Sequence, residues 1–344
     1  MATKSHENMA MVASSGPALQ YRPVDMPSPG SGQAVVEISH VAQNPTDVQS
    51  FDSVAFGDGA VYGCDYVGRV VEIGENVSKL KVGDTVVALI WGGEKKGLGA
   101  YTHYTLADES IAFKIPSSLD PASASTIPLA VTTAWLALFS KTCLDMERDK
   151  PQSVLIWGGS SSVGQFAIQL ASLHSLNVIT TCSPRNFDLV KSLGAANAFD
   201  YNSTEVVERI REAAPNLKFV FDTIGNTNSS AKACEGAAPD CTLCTVRPGK
   251  ANTEKVPKSV KVTDVLVWTA FLKDHSYGKF RWPANTEDHK LAAELYASLP
   301  QWIQDGKIRA NDVHLLKGLQ SVPKGFQMYR EGKISAQKIV YEVR

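Results

Sequence analysis

The apolar positions in the first 118 residues follow the period of β-strands. Residues 34–42 alternate between apolar and polar side chains and are rich in valine and isoleucine, as a half-buried strand requires. Similar short runs follow at 62–73, 85–89, 99–107 and 112–115, with glycines between or inside them. Short strands at this spacing predict a compact, partly closed β domain.

From residue 153 the pattern changes to strands that alternate with amphipathic helices. We predict strands at 153–156, 177–182, 198–201, 219–224 and 242–246, with helices at 163–175, 187–193, 204–214 and 228–238 between them. This alternation is typical of an α/β unit with a parallel, doubly wound sheet. Just before it, Asp120 and Pro121 are suited to a helix N-terminus, and the helical pattern breaks near Pro128 and resumes over 131–138.

The last part of the chain does not continue this alternation. Residues 247–285 are irregular in pattern, helices are predicted at 287–304 and 321–330, and the chain ends on a strand at 335–343. We expect this part to return to the first domain. The prediction is a discontinuous first domain, residues 1–124 and 276–344, with the α/β unit, residues 125–275, inserted between its two parts.

Composition and charge argue against several classes of function. The 344 residues are enough for two domains with full cores, and 44% of them are hydrophobic and 20% charged. The net charge of −1 gives no general reason to bind nucleic acid or a membrane surface. No apolar stretch reaches membrane-spanning length, and the polar residues 1–9 lack the apolar core of a signal peptide, so we expect a cytosolic protein.

The six cysteines are expected to be free thiols. Cys241 and Cys244 form a C-x-x-C pair, but no second pair stands at a zinc-binding spacing. Side chains at this separation on a strand point to opposite faces of the sheet. We therefore predict neither a redox nor a metal role for the pair.

The segment from Gly158 to Gly164 has the features of a phosphate-binding turn. It follows a buried strand, precedes a helix and contains only glycine, serine and valine. Small residues let a pyrophosphate approach the backbone, and the free amides of a helix N-terminus attract negative charge. The match to the G-x-G-x-x-G pattern is imperfect because serines fill its middle, so an ordinary glycine turn is the alternative.

The next strand ends at Ser183, Arg185 and Asn186, where a dinucleotide fold contacts the adenosine ribose. Sites for NAD usually carry an Asp or Glu there, and no acid lies between Asn177 and Phe187. An arginine with neutral hydrogen-bonding side chains suits a 2′-phosphate instead. The segment predicts NADPH as the cofactor; the alternative is a solvated turn that happens to carry an arginine.

Over nearly its whole length the chain resembles a medium-chain dehydrogenase/reductase. It is closest to the zinc-free quinone-reductase branch, and there it resembles the fungal trans-acting enoyl reductases of polyketide synthases, the lovastatin type. The resemblance implies a GroES-like fold for the β-rich catalytic domain and a Rossmann fold for the cofactor domain. It rests on Asn44-Pro45-Thr46-Asp47, on the segments 63–68, 128–134 and 183–186, and on Phe280-Arg281-Trp282-Pro283.

The resemblance also implies roles for individual residues. The cofactor phosphates are expected at Ser160, Ser161, Ser162 and Val163, and the 2′-phosphate at Ser183, Arg185, Asn186 and Tyr201. Tyr201 has a buried core tyrosine as its alternative. The nicotinamide half is expected at Thr245, Val246, Ser335 and Ala336, and the acyl pocket at Val131, Thr132, Thr133, Trp135 and Phe271.

A catalytic zinc is not expected from this comparison. Zinc-dependent members carry a cysteine near the position of Asn44 and Gly-His-Glu where this chain has Gly63-Cys64-Asp65. Asn44 is a poor zinc ligand, the third ligand region is Leu129-Ala130, and no cysteine lies between residues 65 and 142 to hold a structural zinc. Cys64 is better explained as a small buried side chain.

Gln49 is the main departure from the trans-acting enoyl reductases, in which a lysine commonly stands two residues after the Asn-Pro-x-Asp motif. A glutamine amide donates hydrogen bonds, but it cannot give up a proton near neutral pH. We predict that Gln49 and Thr46, with backbone amides or the cofactor ribose, stabilise the developing oxyanion, and that water supplies the proton. The alternative is that Gln49 only faces solvent.

Three functional hypotheses follow from these residues. The first is an NADPH-dependent, zinc-free reductase of an activated C=C bond, acting on a free or carrier-bound acyl substrate with a polyketide synthase as partner. The second is a carbonyl reductase or dehydrogenase on the same scaffold. The third is an NADPH-binding accessory protein that has lost turnover, for which Gln49 is the only hint. Both monomers and dimers occur among the families that the chain resembles, and we expect a monomer.

Overall fold

The computed structural model describes residues 7–14, 18–278 and 280–343. Most of the predicted signal-free N-terminus, residues 1–6, therefore lies outside the described residues. The strands in the described part are β1 (Asn8–Ala13), β2 (Leu19–Val24), β3 (Gln33–Ala42), β4 (Asp65–Ile73), β5 (Thr85–Leu89), β6 (Tyr104–Asp108), β7 (Ala112–Lys114), β8 (Ser153–Trp157), β9 (Asn177–Cys182), β10 (Asn197–Asp200), β11 (Phe219–Asp222), β12 (Thr242–Thr245), β13 (Lys261–Asp264), β14 (His275–Tyr277), β15 (Phe280–Trp282), β16 (Asp312–Lys317) and β17 (Gln337–Glu342).

The helices connect these strands or cover them. They are α1 (Pro45–Asp52), α2 (Pro121–Ala124), α3 (Pro128–Phe139), α4 (Ser162–Leu173), α5 (Phe187–Ser192), α6 (Val206–Ala213), α7 (Ser229–Glu235), α8 (Thr286–Gln304) and α9 (Val322–Arg330).

The β-rich domain is built on a sheet that joins both ends of the chain. Its strands lie in the order β16-β17-β3-β4-β5-β7, and β6 pairs with β3 as well. Residues 340–342 of β17 pair antiparallel with residues 40–42 of β3, so the C-terminal strand returns to the first domain as predicted. The discontinuous, GroES-like architecture is confirmed; the exact boundaries after residues 124 and 275 stay predictions.

The nucleotide-binding domain contains the predicted parallel sheet. Its order is β10-β9-β8-β11-β12-β13, with every pair parallel. The chain runs outward in one direction from β8 to β10 and in the other from β11 to β13. The strand order therefore reverses between β8 and β11, and ligands of such sheets bind at the carboxyl ends of the strands on either side of this reversal. The α/β fold class is confirmed.

Several elements were missing from the sequence-based prediction. They are short or lack a clear hydrophobic period: the β1–β2 hairpin, helix α1, strand β13, the three-residue strands β14 and β15, and β16. Each is defined by what it pairs with, as β13 is by its parallel register with β12. The hydrophobic pattern along the chain therefore predicted the long elements and missed those that form only by pairing with neighbouring strands or helices.

Helix α3 lies in the core and is apolar on all sides. All twelve of its residues are buried, and it packs against α4 and α8. Within the described residues, the helical stretch 121–139 is long and apolar enough to span a membrane by length and composition, and 89% of that apolar window is buried inside the protein. Our expectation that no stretch reaches spanning length was wrong, because a fully enclosed helix needs no polar face.

Candidate active site

In the turn after β8 the backbone segments approach so closely that glycine is required. Gly158 has a φ of +91°, and a Cβ on Gly164 would lie 2.3 Å from the Gly158 carbonyl oxygen. The Ser161 hydroxyl caps α4 by accepting a hydrogen bond of 2.9 Å from the Gly164 amide. The amides of Ser162 and Val163 begin the helix, where backbone N–H groups lack intrahelical acceptors. The cradle fits the pyrophosphate of a dinucleotide, so an ordinary glycine turn is the weaker explanation.

A further donor beside this turn was not predicted. Ser162 donates its hydroxyl hydrogen to Oδ1 of Asn311, which lies just before β16. Asn311 is only 2% exposed, and its Nδ2 has no hydrogen-bond partner among the described residues. A buried N–H without a partner is costly, so a ligand acceptor at the first turn of α4 would satisfy it.

The predicted 2′-phosphate residues lie together at the end of β9. The register of β10 on β9 sets Asp200 beside Cys182, so Tyr201 and Ser183 come next to each other at the sheet edge. Tyr201 is 42% exposed, which rules out the alternative of a core tyrosine. Arg185 is exposed and Asn186 is buried. Their role toward the 2′-phosphate stays a prediction.

Ser335 and Ala336 contact residues at the end of β9 and at the start of α4. Nη2 of Arg185 donates a 3.0 Å hydrogen bond to the Ser335 hydroxyl. The Ala336 carbonyl accepts one of 3.2 Å from Nε2 of Gln165, on the first turn of α4. These contacts hold the segment before β17 beside the turn after β8, and its predicted contact with the nicotinamide half stays a prediction.

The predicted nicotinamide end lies where β12 ends at Thr245, and Gln49 reaches it from the other domain. Oε1 of Gln49 accepts a hydrogen bond of 2.9 Å from Nη1 of Arg247. Nε2 of Gln49 donates one of 2.8 Å to the hydroxyl of Tyr329 on α9. The alternative that Gln49 only faces solvent is therefore wrong. Thr46 lies one turn earlier on α1, half-buried.

Arg247 and Tyr329 were missed by the sequence analysis. Arg247 directly follows Val246, so its place at the end of a nucleotide-domain strand was a usable signal. Tyr329 gave none, since it lies in a helix of the C-terminal part, 280 residues from Gln49.

Asp65 is the centre of a buried network where zinc-dependent relatives would hold metal. Its carboxylate accepts hydrogen bonds from Nδ2 of Asn44 at 2.9 Å, from the Leu129 amide at 2.6 Å and from Nζ of Lys338 at 2.5 Å. The Lys338 ammonium also donates to the Thr126 carbonyl. The Lys338 ammonium thus neutralises the only carboxylate of the Gly63-Cys64-Asp65 segment.

The adjacent carboxyl group, Asp47, has an unusual acidity. It accepts hydrogen bonds from the Asn44 amide, the Cys64 thiol and the Tyr101 hydroxyl. Burial outweighs these bonds and raises the pKa of Asp47 to about 6. Burial likewise raises the pKa of the Cys64 thiol. Cys64 is a buried, protonated thiol, as predicted for a small side chain in the core.

Three of the predicted acyl-pocket residues are enclosed in the core. Val131, Thr132 and Trp135 have no exposed surface. Thr132 bonds the Pro128 carbonyl and the Tyr296 hydroxyl, and Trp135 donates to the Leu291 carbonyl. This corrects the assignment, because α3 packs on all sides. Thr133 is 6% exposed and Phe271 is partly buried, so a contact of these two residues with substrate stays a prediction.

An aromatic cluster lies between the two domains near these residues. The Trp91 and Trp268 rings stack with centroids 4.7 Å apart, and Tyr277 of β14 packs on Trp91. Glu94 holds the β14 strand by accepting hydrogen bonds from Lys273 and from Nδ1 of His275. A cavity of about 510 Å³, lined among others by Leu266 and Trp282 of this cluster, adjoins it. The cluster offers an apolar surface to a hydrophobic ligand.

Fold and site together define an oxidoreductase scaffold with a turn suited to a dinucleotide at the carboxyl ends of its central parallel strands. Two family models match the chain: the alcohol dehydrogenase GroES-like domain over residues 30–117 and the zinc-binding dehydrogenase domain over residues 162–282. Among the described residues, no group of three or more His, Cys, Asp or Glu side chains is arranged to hold a metal ion.

Named relatives cover almost the whole chain. A trans-enoyl reductase of Gibberella fujikuroi is 32% identical over 92% of this chain and 94% of its own length. A zinc-type alcohol dehydrogenase-like protein of Schizosaccharomyces pombe shows the same identity and coverage. The crystal structure of a putative zinc-dependent alcohol dehydrogenase from Rhizobium etli superposes with a TM-score of 0.81 at 24% identity, over 98% of this chain and 99% of that one. The chain belongs to the medium-chain dehydrogenase/reductase superfamily, with fungal trans-enoyl reductases among its relatives.

Proposed function

We propose that the protein is an NADPH-dependent, zinc-independent reductase of an activated C=C bond that acts on an acyl thioester in polyketide biosynthesis. The observation that carries this proposal is the 32% identity to a trans-enoyl reductase over 92% of the chain. A polyketide synthase that presents the substrate on a carrier domain is the partner we propose.

The donor chemistry around Asp65 supports zinc independence. Zinc ligands are thiolates, neutral imidazoles or free carboxylates. Here the Cys64 thiol donates its hydrogen toward Asp47, and burial disfavours its thiolate. The Asp65 carboxylate is already paired with the Lys338 ammonium. Neither group is in the form that would bind a metal.

The end of β9 supports NADPH over NADH. Arg185 is exposed there, and none of the described carboxylates forms an ion pair with it. A guanidinium without a carboxylate partner, hydrogen-bonded to the Ser335 hydroxyl, suits a phosphate. An NAD site would instead need a carboxylate for the ribose hydroxyls.

The chain's own residues then have three tasks. When bound, the nicotinamide supplies a hydride to an electrophilic carbon. The β12 end and α1 orient the substrate carbonyl, and hydrogen-bond donors there stabilise the oxyanion as the C=C electrons move onto it. The aromatic cluster around Trp91 and Trp268 excludes water from the acyl chain.

The test follows deuterium from the cofactor to the product. NADPH labelled at C4, with separate samples for its two faces, is offered with α,β-unsaturated thioesters, enones and simple aldehydes, and NMR locates the label. Deuterium on the β-carbon of a saturated product is the expected result. Deuterium on a carbinol carbon would identify a carbonyl reductase, and tight NADPH binding without turnover on carrier-bound substrate would indicate an accessory protein.

A further inference from the structure

Gln49 lies between a cation and a hydroxyl group at the predicted nicotinamide end of the site. Arg247 reaches it from the segment after β12, and Tyr329 reaches it from α9. We propose that Tyr329 donates the proton of the reduction, that the Arg247 guanidinium stabilises the oxyanion, and that Gln49 positions both groups. This proposal rests on the function proposed above.

The chemistry of arginine fixes the orientation of the Gln49 amide. A guanidinium has donors only, so it must face the amide oxygen, and the amide NH₂ group then faces Tyr329. The Tyr329 oxygen is therefore the acceptor of that bond, at 2.8 Å. Its own hydrogen is not used by Gln49 and is available for donation into the site.

Arg247 keeps donors and charge for a ligand. Its Nε donates to the Gly225 carbonyl at 2.8 Å, and its Nη1 donates to Gln49. These bonds fix the side chain and leave Nη2 free of any described partner. The group is half-buried, and no described carboxylate pairs with it, so its positive charge is available to a developing oxyanion.

The same geometry explains the missing lysine. An ammonium at position 49 would face the donor-only guanidinium of Arg247, and two like charges in contact repel. A neutral side chain with both an acceptor and a donor satisfies Arg247 and Tyr329 together. The positive charge at this end of the site is thus carried by Arg247, and the proton by Tyr329.

The reaction balances with NADPH as the reductant. Hydride adds to the β-carbon of the enoyl thioester while the C=C electrons move to form an enolate, and NADP⁺ is left. The Tyr329 O–H bond then breaks as a C–H bond forms at the α-carbon. The resulting tyrosinate, stabilised by the Gln49 amide, takes a proton from water.

The first experiment runs the reaction in D₂O with a short α,β-unsaturated thioester. We expect the wild-type enzyme to place deuterium on one face of the α-carbon. Tyr329→Phe should lower kcat by about 100-fold or more, leave the Kd for NADPH unchanged, and give deuterium on both faces. Tyr21→Phe is the matched control, because Tyr21 lies on β2 and its hydroxyl contacts His103, outside the proposed site. A Tyr329→Phe enzyme with normal kcat and single-face deuteration would overturn the proton assignment.

The second experiment tests the charge. Arg247→Gln should lower kcat by about 100-fold. The control is Arg69→Gln, which removes an exposed arginine paired with Glu37 and should leave kcat unchanged. A rise in KM for NADPH at constant kcat would contradict oxyanion stabilisation and assign Arg247 to the cofactor.

A third measurement needs no turnover. Gln49→Lys should lower the urea midpoint of unfolding, and it should do so much less in an Arg247→Gln background. Equal shifts in both backgrounds would overturn the positioning role. If the wild type reduces no C=C bond at all, the proposed function fails and the proton donation fails with it, whereas normal C=C reduction with unaffected variants refutes only this inference.

Discussion

The ammonium of Lys338 lies 2.5 Å from Oδ2 of Asp65, although 273 residues separate them in the sequence. Both side chains are almost fully buried, at 4% and 0% exposure. The pair joins the last strand to β4, and Asp65 also accepts from the Leu129 amide at the start of α3. A single buried ion pair thus fastens the C-terminal strand, the β-rich domain and the core helix to one another.

Removing one partner of this pair should be strongly destabilising. Lys338→Met leaves the Asp65 charge buried, and we expect the free energy of unfolding to fall by about 3–5 kcal/mol. Lys338→Met combined with Asp65→Asn should recover most of the loss, because no charge is then left unpaired. Urea unfolding measures both.

Lys114→Met is the control for that series, since Lys114 pairs with Asp84 at the surface. It should cost less than about 1 kcal/mol. Equal losses for Lys338→Met and the double variant would show that lost packing, and not the unpaired charge, is responsible.

Arg185→Ala should weaken NADPH binding far more than NADH binding. A charge-assisted hydrogen bond to the 2′-phosphate is worth about 1.5–3 kcal/mol, so the Kd for NADPH should rise about 10- to 100-fold. Fluorescence titration with both cofactors provides the comparison, with Arg209→Ala on α6 as a matched exposed control. Equal weakening of both cofactors would remove the 2′-phosphate role.

Asp47 should make stability depend on pH between about 4 and 6. Its pKa rises from 3.8 to about 6 on folding, so the folded state holds the proton more tightly. The resulting stabilisation is full below pH 3.8 and is lost as the pH rises through 6. The free energy of unfolding of the wild type, relative to that of Asp47→Asn, should therefore fall by about 2 kcal/mol from pH 4 to pH 7. A difference that does not change with pH would contradict this.

Glu94 should hold the β14 strand over the aromatic cluster only while it is ionised. Burial tends to raise the pKa of Glu94, but the bonds from His275 and Lys273 outweigh it and lower the pKa. Because the pKa is lowered, the stabilisation that ionised Glu94 provides is present above the usual pKa of glutamate. It is lost as the pH falls through the pKa of Glu94 in the folded protein. Glu94→Gln should therefore speed hydrogen exchange in β14 at pH 7. Equally faster hydrogen exchange in all strands would indicate that the whole protein is loosened instead.

The sequence by itself determined the parts of this protein whose physics is local. Alternating apolar residues predicted β3, a short apolar run predicted β5, helical spacing predicted α4 and α8, and the glycines at 158 and 164 predicted the tight turn after β8. These signals need no distant partner, because strand period, helix period and close backbone approach depend on neighbours in the chain. The absence of an acid after β9 pointed to NADPH for the same reason.

Only the tertiary structure decided which distant side chains meet. Gln49 bonds to Arg247 and Tyr329, which are 198 and 280 residues away, and Asp65 pairs with Lys338 of the last strand. The family resemblance implied a pocket at Val131, Thr132 and Trp135, whereas α3 is enclosed on every side. Contacts of this kind follow from how two domains close on each other, and no local period in the chain encodes that arrangement.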